Sequence, residues 1–241
     1  MDEIEGIIIN EKAYGETSKI INIMTKDGII GAIAKGAKSI KSELRSSTTK
    51  LTYAKFHLFY KKDKLSTISS VDLIDTFKNI KTDLKKISYA SFLIDLSEQV
   101  YKQSSNSDIY FHLINSLIKI NENFDPMVIT NILELKYLSF LGVDPIIDAC
   151  AVCGSNVSIM TLSASRGGYI CRNCYKGESL VSDKTIKLIR MYFYVDISKI
   201  TKLDVSEKSK TEINNFLDEY YSEYTGLYLK TKEFLKNLKN L

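Results

Sequence analysis

The chain holds four cysteines in its 241 residues, and all of them fall in two Cys-x-x-Cys pairs, Cys150/Cys153 and Cys171/Cys174, separated by 17 residues. Two residues between thiols let both sulfurs of a knuckle reach one ion at tetrahedral angles. The longer interval allows a hairpin that carries the second knuckle opposite the first. Gly154 after the first knuckle and Gly167-Gly168 before the second put turn residues where a thiolate-binding backbone needs them. Redox chemistry of the thioredoxin type needs one such pair at a helix N-terminus in a βαβ setting, and two disulfides need an oxidising compartment; neither context is visible. The pattern therefore predicts a metal-stapled module over about residues 148–176, holding one structural Zn²⁺ per chain on Cys150, Cys153, Cys171 and Cys174. Four sulfur donors leave no coordination position for water or substrate, so the metal supports a fold and does not itself perform chemistry.

The rest of the composition, 44% hydrophobic and 26% charged, is that of a globular chain with a real core. The first five residues, Met1-Asp2-Glu3-Ile4-Glu5, are acidic, and the apolar stretch from Gly28 to Ala34 ends at Lys35. Neither a secretory leader nor a membrane span is expected, and a cytoplasmic location follows. A net charge of +4 conceals an uneven distribution. Between Gly31 and Lys64 nine basic residues (Lys35, Lys38, Lys41, Arg45, Lys50, Lys55, Lys61, Lys62, Lys64) face two acidic ones (Glu43, Asp63), a local charge of +7. Such a segment suits a polyanion, or is simply a solvated face.

That basic stretch falls in a region of short segments rich in β-branched and aromatic residues: 4–9, 20–24, 29–34, 53–60 and 65–71. Lys26-Asp27-Gly28 and Lys61-Lys62-Asp63-Lys64 read as hairpin turns. Five short antiparallel strands with a longer connection after the third suit a Greek-key barrel such as the OB-fold, and an SH3-like barrel fits the same pattern. Beyond Phe77 the period becomes helical. One stripe runs through Leu84, Ile87, Ala90, Leu93, Ile94 and Val100, and a second through Ile109, Leu113, Leu117 and Ile120. A third helix is capped by Asp125, begins at Pro126 and stops at Gly142 with Pro145 beyond. Ser182-Asp183 opens another, and further helix follows from about Ser206; lysines 230, 232, 236 and 239 are expected to oppose the dipole of the last helix. The fold class expected is α+β multidomain: an N-terminal OB-fold β-barrel over residues 1–78, then an all-α helical domain over 79–241 with the zinc module inserted. No linker composition separates the two, so they should pack together.

Catalytic constellations are missing from the sequence. His57 lies in a predicted strand and His112 on a predicted helix, both read as structural, and no Gly-rich loop ends in Gly-Lys-Ser/Thr. No catalytic residue is assigned. Nucleic-acid binding has more support, because Tyr53, Phe56, Phe59 and Tyr60 interleave with Lys50, Lys55, Lys61 and Lys62. Alternation places Phe56, Leu58 and Tyr60 on one face and Lys55, His57 and Phe59 on the other, so at most half of these rings can reach a ligand.

Several segments then combine into a recognisable order: Tyr14-Gly15-Glu16-Thr17-Ser18-Lys19-Ile20, Thr25, Ala34-Lys35-Gly36-Ala37-Lys38, Ser42, Glu134-Leu135-Lys136-Tyr137-Leu138, Leu141-Gly142, Pro145, Cys150-Ala151-Val152-Cys153-Gly154, Gly167-Gly168, Cys171 and Cys174. In order and spacing the chain resembles the RecO family of bacterial DNA repair and recombination mediators, nearly end to end, although no signature is matched beyond about Ser182. The resemblance implies a non-enzymatic protein that binds single- and double-stranded DNA and anneals complementary strands. It also implies partners: RecR, the acidic C-terminal tail of single-stranded-DNA-binding protein (SSB), possibly RecF, and the RecA recombinase that is loaded with their help. The candidate DNA contacts are Lys35 and Lys38, in a turn whose Gly36 permits close backbone approach, then Lys41, Arg45, Lys55, Lys61 and Lys62. For Tyr14-Gly15-Glu16 a structural role, a turn or bulge between the first two strands, competes with a functional one. A zinc-stapled protein-interaction module without intrinsic DNA binding is the rival reading of the whole chain.

Overall fold

The computed structural model describes residues 1–238. Its N-terminal strands are β1 (Asp2–Tyr14), β2 (Ser18–Thr25), β3 (Gly28–Ala34), β4 (Tyr53–Phe59) and β5 (Ser66–Asp75). They close in the order β1-β2-β3-β5-β4. β1 pairs antiparallel with both β2 and β4, and β3 meets β5 in parallel through Ala32↔Ser66 and Ile33↔Thr67. This is the OB-fold closure, which decides against the SH3-like alternative. Period-two alternation fills the interior with Ile8, Ile21, Ile23, Ala32, Ala34, Ala54, Phe56, Leu58 and Ile68. Hydrogen-bonded neighbours lead from Lys12 through Ile20, Ile33, Thr67 and Phe59. The circuit then regains β1 beside Asp2, which faces Leu58. A circuit that slips by nearly the whole of β1 requires steeply tilted strands.

β1 is longer than the predicted 4–9. A bulge between Ile8 and Asn10 lets the polar stretch Asn10–Tyr14 continue the ladder with β2. β5 likewise runs on to Asp75, and two one-turn helices absent from the sequence reading, α1 (Leu44–Ser47) and α2 (Lys78–Lys81), follow β3 and β5.

The helical region comprises α3 (Leu84–Ser104), α4 (Asp108–Asn121), α5 (Pro126–Phe140), α6 (Asp183–Tyr194), α7 (Glu207–Tyr224) and α8 (Lys230–Leu238). Its termini follow side-chain chemistry. Asp125 Oδ1 accepts from the Met127 and Val128 amides at 2.9 and 3.4 Å, ahead of Pro126 at the first turn. Gly142, at φ +72°, ends α5 in the left-handed conformation that a residue with a Cβ adopts only at a cost. Ser182 and Ser206 cap α6 and α7 by accepting from the Thr185 and Ser209 amides. α5 is buried along an unbroken run from Val128 to Leu135 and forms the centre of the bundle.

Barrel and bundle share one core. Ile7, Ile9 and Met24 point outward from the barrel into the apolar cluster that also contains Phe77, Phe92, Leu93 and Leu133. Tyr53 stacks on Phe77 at 6.4 Å, and Tyr110 of α4 donates to Glu5 of β1 at 3.3 Å. The packing expected from the missing linker is present. One lysine departs from its expected place. Lys232 of α8 turns inward instead of lying along the helix end, reaching Glu134 at 2.6 Å and Asp218 at 2.9 Å. Lys239 lies outside the described residues.

Candidate metal centre and nucleic-acid interface

The first knuckle is a tight turn, in which the Gly154 amide donates to the Cys150 carbonyl at 2.9 Å and Gly154 adopts φ +73°. The second closes a hairpin of β6 (Ile159–Ser163) and β7 (Gly168–Cys171), with Cys174 at the end of a 3₁₀ turn. Gly168 is needed where the hairpin meets the chain entering the module. It sits at φ +148°, and a Cβ there would lie 2.1 Å from the Ile146 carbonyl oxygen. The Ala151 amide donates to the Tyr169 carbonyl at 2.8 Å and so brings the knuckles together. All four sulfurs fall within 4.8 Å of one another, and Cys153 and Cys171 are 3.7 Å apart. Tetrahedral Zn–S bonds of about 2.3 Å place sulfurs roughly 3.8 Å apart, so the cluster can hold a metal ion as it stands. Cys150 and Cys171 are buried and Cys153 is exposed. Burial disfavours the Cys150 thiolate, but amides of Cys171, Cys153 and Val152 directed at its sulfur outweigh this and hold its pKa at about 6.

The predicted DNA contacts form two exposed groups. The first lies where the β1–β2 turn meets the loop after β3. The Lys38 amide donates to the Thr17 carbonyl at 2.7 Å, its ammonium to the Gly15 carbonyl at 3.3 Å, and the Gly36 amide to Ser18 Oγ at 3.4 Å. Gly15 and Gly36, at φ +59° and +68°, make the turns that permit this stitching. The two N-terminal signature segments are thus one piece of surface, with Lys35 and Lys38 on it and Lys41 and Arg45 further along the same loop, all exposed. The second group, Lys61 and Lys62 with Lys64, occupies the exposed β4–β5 turn. Among the described residues, none of these seven cations has a carboxylate within ion-pair distance.

Lys55 stands apart. Its ammonium is 3.1 Å from Glu3 on the neighbouring strand, and that hydrogen bond, with Glu5 and Asp72 nearby, raises its pKa. His57 beside it lies 2.8 Å from Asp72. Lys50 reaches Asp95 of α3 at 3.5 Å, and Lys19 reaches Glu11 at 2.6 Å. The surface around Lys55, where β4 lies between β1 and β5, is therefore charge-compensated, whereas the two loop groups are not. His112 is half-buried against Phe140; burial, then Lys136, lowers its pKa, in keeping with a structural role.

Register also exposes residues that the sequence reading did not assign. Lys12 pairs with Ile20 and Tyr14 with Ser18, on the side of the sheet opposite the interior residue Ile21, and both are exposed. Period two through Asn10, Lys12 and Tyr14 is the signal that extends β1 this far. Phe56 and Leu58 are fully buried and Phe59 is 55% exposed, as alternation required. Tyr60, just past the strand end, instead lines an 830 Å³ cleft with Asp2, Glu3, Glu5, Asp27 and Phe111.

No helix among the described residues is long and apolar enough to cross a membrane. Residues 1–77 match the family model Recombination protein O N terminal, and residues 81–233 match Recombination protein O C terminal. A DNA repair protein RecO of Listeria monocytogenes is 32% identical over 243 residues, covering 99% of this chain and 95% of the relative. Those of Bacillus pumilus and Bacillus subtilis are 33% and 31% identical, each covering at least 98% of this chain and 94% of the relative. Both halves of the fold, the thiol cluster and similarity along the full length agree, and the chain belongs to the RecO family of non-enzymatic DNA repair and recombination proteins.

Proposed function

We propose that this protein binds DNA on the two uncompensated cationic loops of its barrel, using Lys35, Lys38, Lys41, Arg45, Lys61 and Lys62, and brings complementary strands together there. The observation that carries this reading is that, among the described residues, none of these cations has a carboxylate within ion-pair distance, set against the neutralised face around Lys55. Lys55 joins the contact only by exchanging Glu3 for a phosphate. Annealing on such a surface needs no reactive group. Cations that neutralise two phosphate chains lower their mutual repulsion, and contacts confined to phosphates leave base edges free to pair.

Within the family's setting this activity serves recombination in the cytoplasm, at the nucleoid. The protein binds single and double strands, anneals complementary ones and, with RecR and in some circumstances RecF, helps load RecA onto strands coated by SSB, whose acidic tail is a further partner. The ion for this thiol cluster is zinc: four thiolates converging within 4.8 Å of one another suit it, and the role is structural. The zinc module positions α6, because the buried Tyr169 of β7 hydrogen-bonds the Ile186 carbonyl and Asp148 holds Arg190 at 2.6 Å.

Reversing charge at Lys35 and Lys38 together (Lys35→Glu, Lys38→Glu) tests the assignment. Affinity for single strands should fall by about tenfold or more, equally for all sequences, and the salt dependence should flatten by about 0.7 for each phosphate that is no longer neutralised. Annealing should slow in parallel. Full affinity in this variant, or a weakening confined to particular sequences, would contradict the site.

A further inference from the structure

We infer that the cleft beside the Lys26-Asp27-Gly28 turn is a docking site for a second copy of this chain, which inserts the loop Lys38-Ser39-Ile40-Lys41 from the opposite end of its own barrel. The loop is an apolar knob between cations. Ile40 is 85% exposed, more than any other large hydrophobic side chain among the described residues. Lys38 and Lys41 flank it, and neither has a carboxylate within ion-pair distance among those residues. The 830 Å³ cleft has the converse character: Tyr60 and Phe111, each 48% exposed, line it together with Asp2, Glu5 and Asp27. Among the described residues no lysine or arginine lies within ion-pair distance of these three carboxylates. Glu5 is held in position by the Tyr53 and Tyr110 hydroxyls, which both donate to its Oε1. Two lysines also line the cleft, but Lys55 is taken up by Glu3, which leaves Lys26 against three carboxylates. A lone exposed isoleucine is ordinary on a protein surface; one framed by cations and matched by exposed rings framed by carboxylates is complementary in both apolar and charged groups.

The loop cannot fill the cleft of its own molecule. β2 runs from Ser18, next to the loop, to Thr25, which lines the cleft. Seven steps of about 3.3 Å make that span roughly 23 Å. The Lys38 amide is tied to the Thr17 carbonyl at the far end of this span, and Ile40 lies two residues beyond the tie, a reach of about 7 Å. The complementary surfaces therefore sit at opposite ends of one barrel, and the contact between copies is heterologous: each copy offers its loop to one neighbour and its cleft to another. A contact made by one knob and a few charges is small, so the association is weak and sensitive to salt. Lys38 and Lys41 also belong to the proposed DNA contact. On that reading a strand and a second copy compete for the same ammonium groups, so that the free protein associates and DNA releases it as single copies.

Sedimentation velocity of the intact protein, over a concentration series reaching about 100 µM, tests this. In low salt the mean sedimentation coefficient should rise with concentration, and salt of about 0.5 M should hold it at the monomer value. Two variants separate the surfaces: Ile40→Ser with Lys41→Gln on the loop, and Asp2→Asn with Asp27→Asn in the cleft. Each alone should weaken association by about tenfold or more. An equal mixture of the two should associate again but stop at pairs, because one variant keeps a working cleft and the other a working loop; that recovery also shows that both are folded. Monomer at every concentration in low salt overturns the inference, as does association that neither variant diminishes, or a mixture that behaves as its separate parts. A single strand of about six nucleotides should return the unmodified protein to single copies. A strand that binds without dissolving the assemblies overturns the competition, whereas a strand that does not bind at all removes the DNA-binding reading and leaves the docking to be decided by the two variants.

Discussion

A Cys171→Ser protein should purify without zinc and with the segment from about residue 146 to 176 unfolded, while the barrel keeps its structure. Cys171 ends β7, its amide donates to Cys150 Sγ at 3.4 Å, and its sulfur is 3.7 Å from that of Cys153. The module has little apolar core of its own: Leu162, Ala164 and Tyr169 are buried, but they belong to the cluster of the bundle. Metal ligation is therefore coupled to local folding, at an apparent scale of about 10 kcal/mol for structural zinc near neutral pH. The barrel interior, by contrast, has a separate set of buried side chains around Phe56 and Ile23. Metal content together with hydrogen exchange reads both halves of the expectation. Amides of β6 and β7 should lose protection, those of β1–β5 should keep it, and α6 should be affected to an intermediate degree because Tyr169 anchors it at Ile186. One zinc retained per chain, or reduced protection in the barrel, would show that the module is held differently. Acidification should release the metal from the unmodified protein, since the ligands bind as thiolates.

Lys232→Met should lower stability by about 3–5 kcal/mol, the scale for removing one partner of a buried ion pair. The Glu134 side chain is 1% exposed, and Lys232 lies 2.6 Å from it, 2.9 Å from Asp218 and 4.8 Å above the Phe92 ring. Burial disfavours the ammonium, but the two carboxylates outweigh it and raise the Lys232 pKa above the ordinary lysine value. A raised folded-state pKa means that this contribution is fully present below the unfolded lysine value, about 10.4, and is lost as pH climbs through the higher folded value. Urea midpoints at neutral pH check the magnitude. Glu134→Gln combined with Lys232→Met should recover part of the stability, because one of the two carboxylates that faced the ammonium is then neutral. A midpoint unmoved by Lys232→Met would show that α8 docks without this pair.

The elements that the sequence revealed are those set by local chemistry. Asp125 and Pro126 specify the start of α5 within three residues of their own position, and the Cys-x-x-Cys spacing specifies the thiol cluster, as the convergence of four sulfurs within 4.8 Å bears out. What stayed hidden depends on partners distant in sequence. The reach of β1 to Tyr14 is supported by β2 across a bulge, not by hydrophobicity of its own. The compensation of Lys55 by Glu3 exists only because β1 and β4 are in register. Lys232 looked like a solvent-facing lysine near a helix end because its partner Glu134 is 98 residues away. The exposure of Tyr14 follows in the same way from its pairing with Ser18 at the far end of β1.

The central claim is that positive potential on two barrel loops, and no reactive group, performs the work, and a salt titration of single-strand binding by the unmodified protein tests it most directly. Log affinity should fall linearly with log salt at a slope of about −2 to −4, near −0.7 for each of roughly three to six phosphates neutralised. A slope close to zero, or no binding even at low salt, would contradict it.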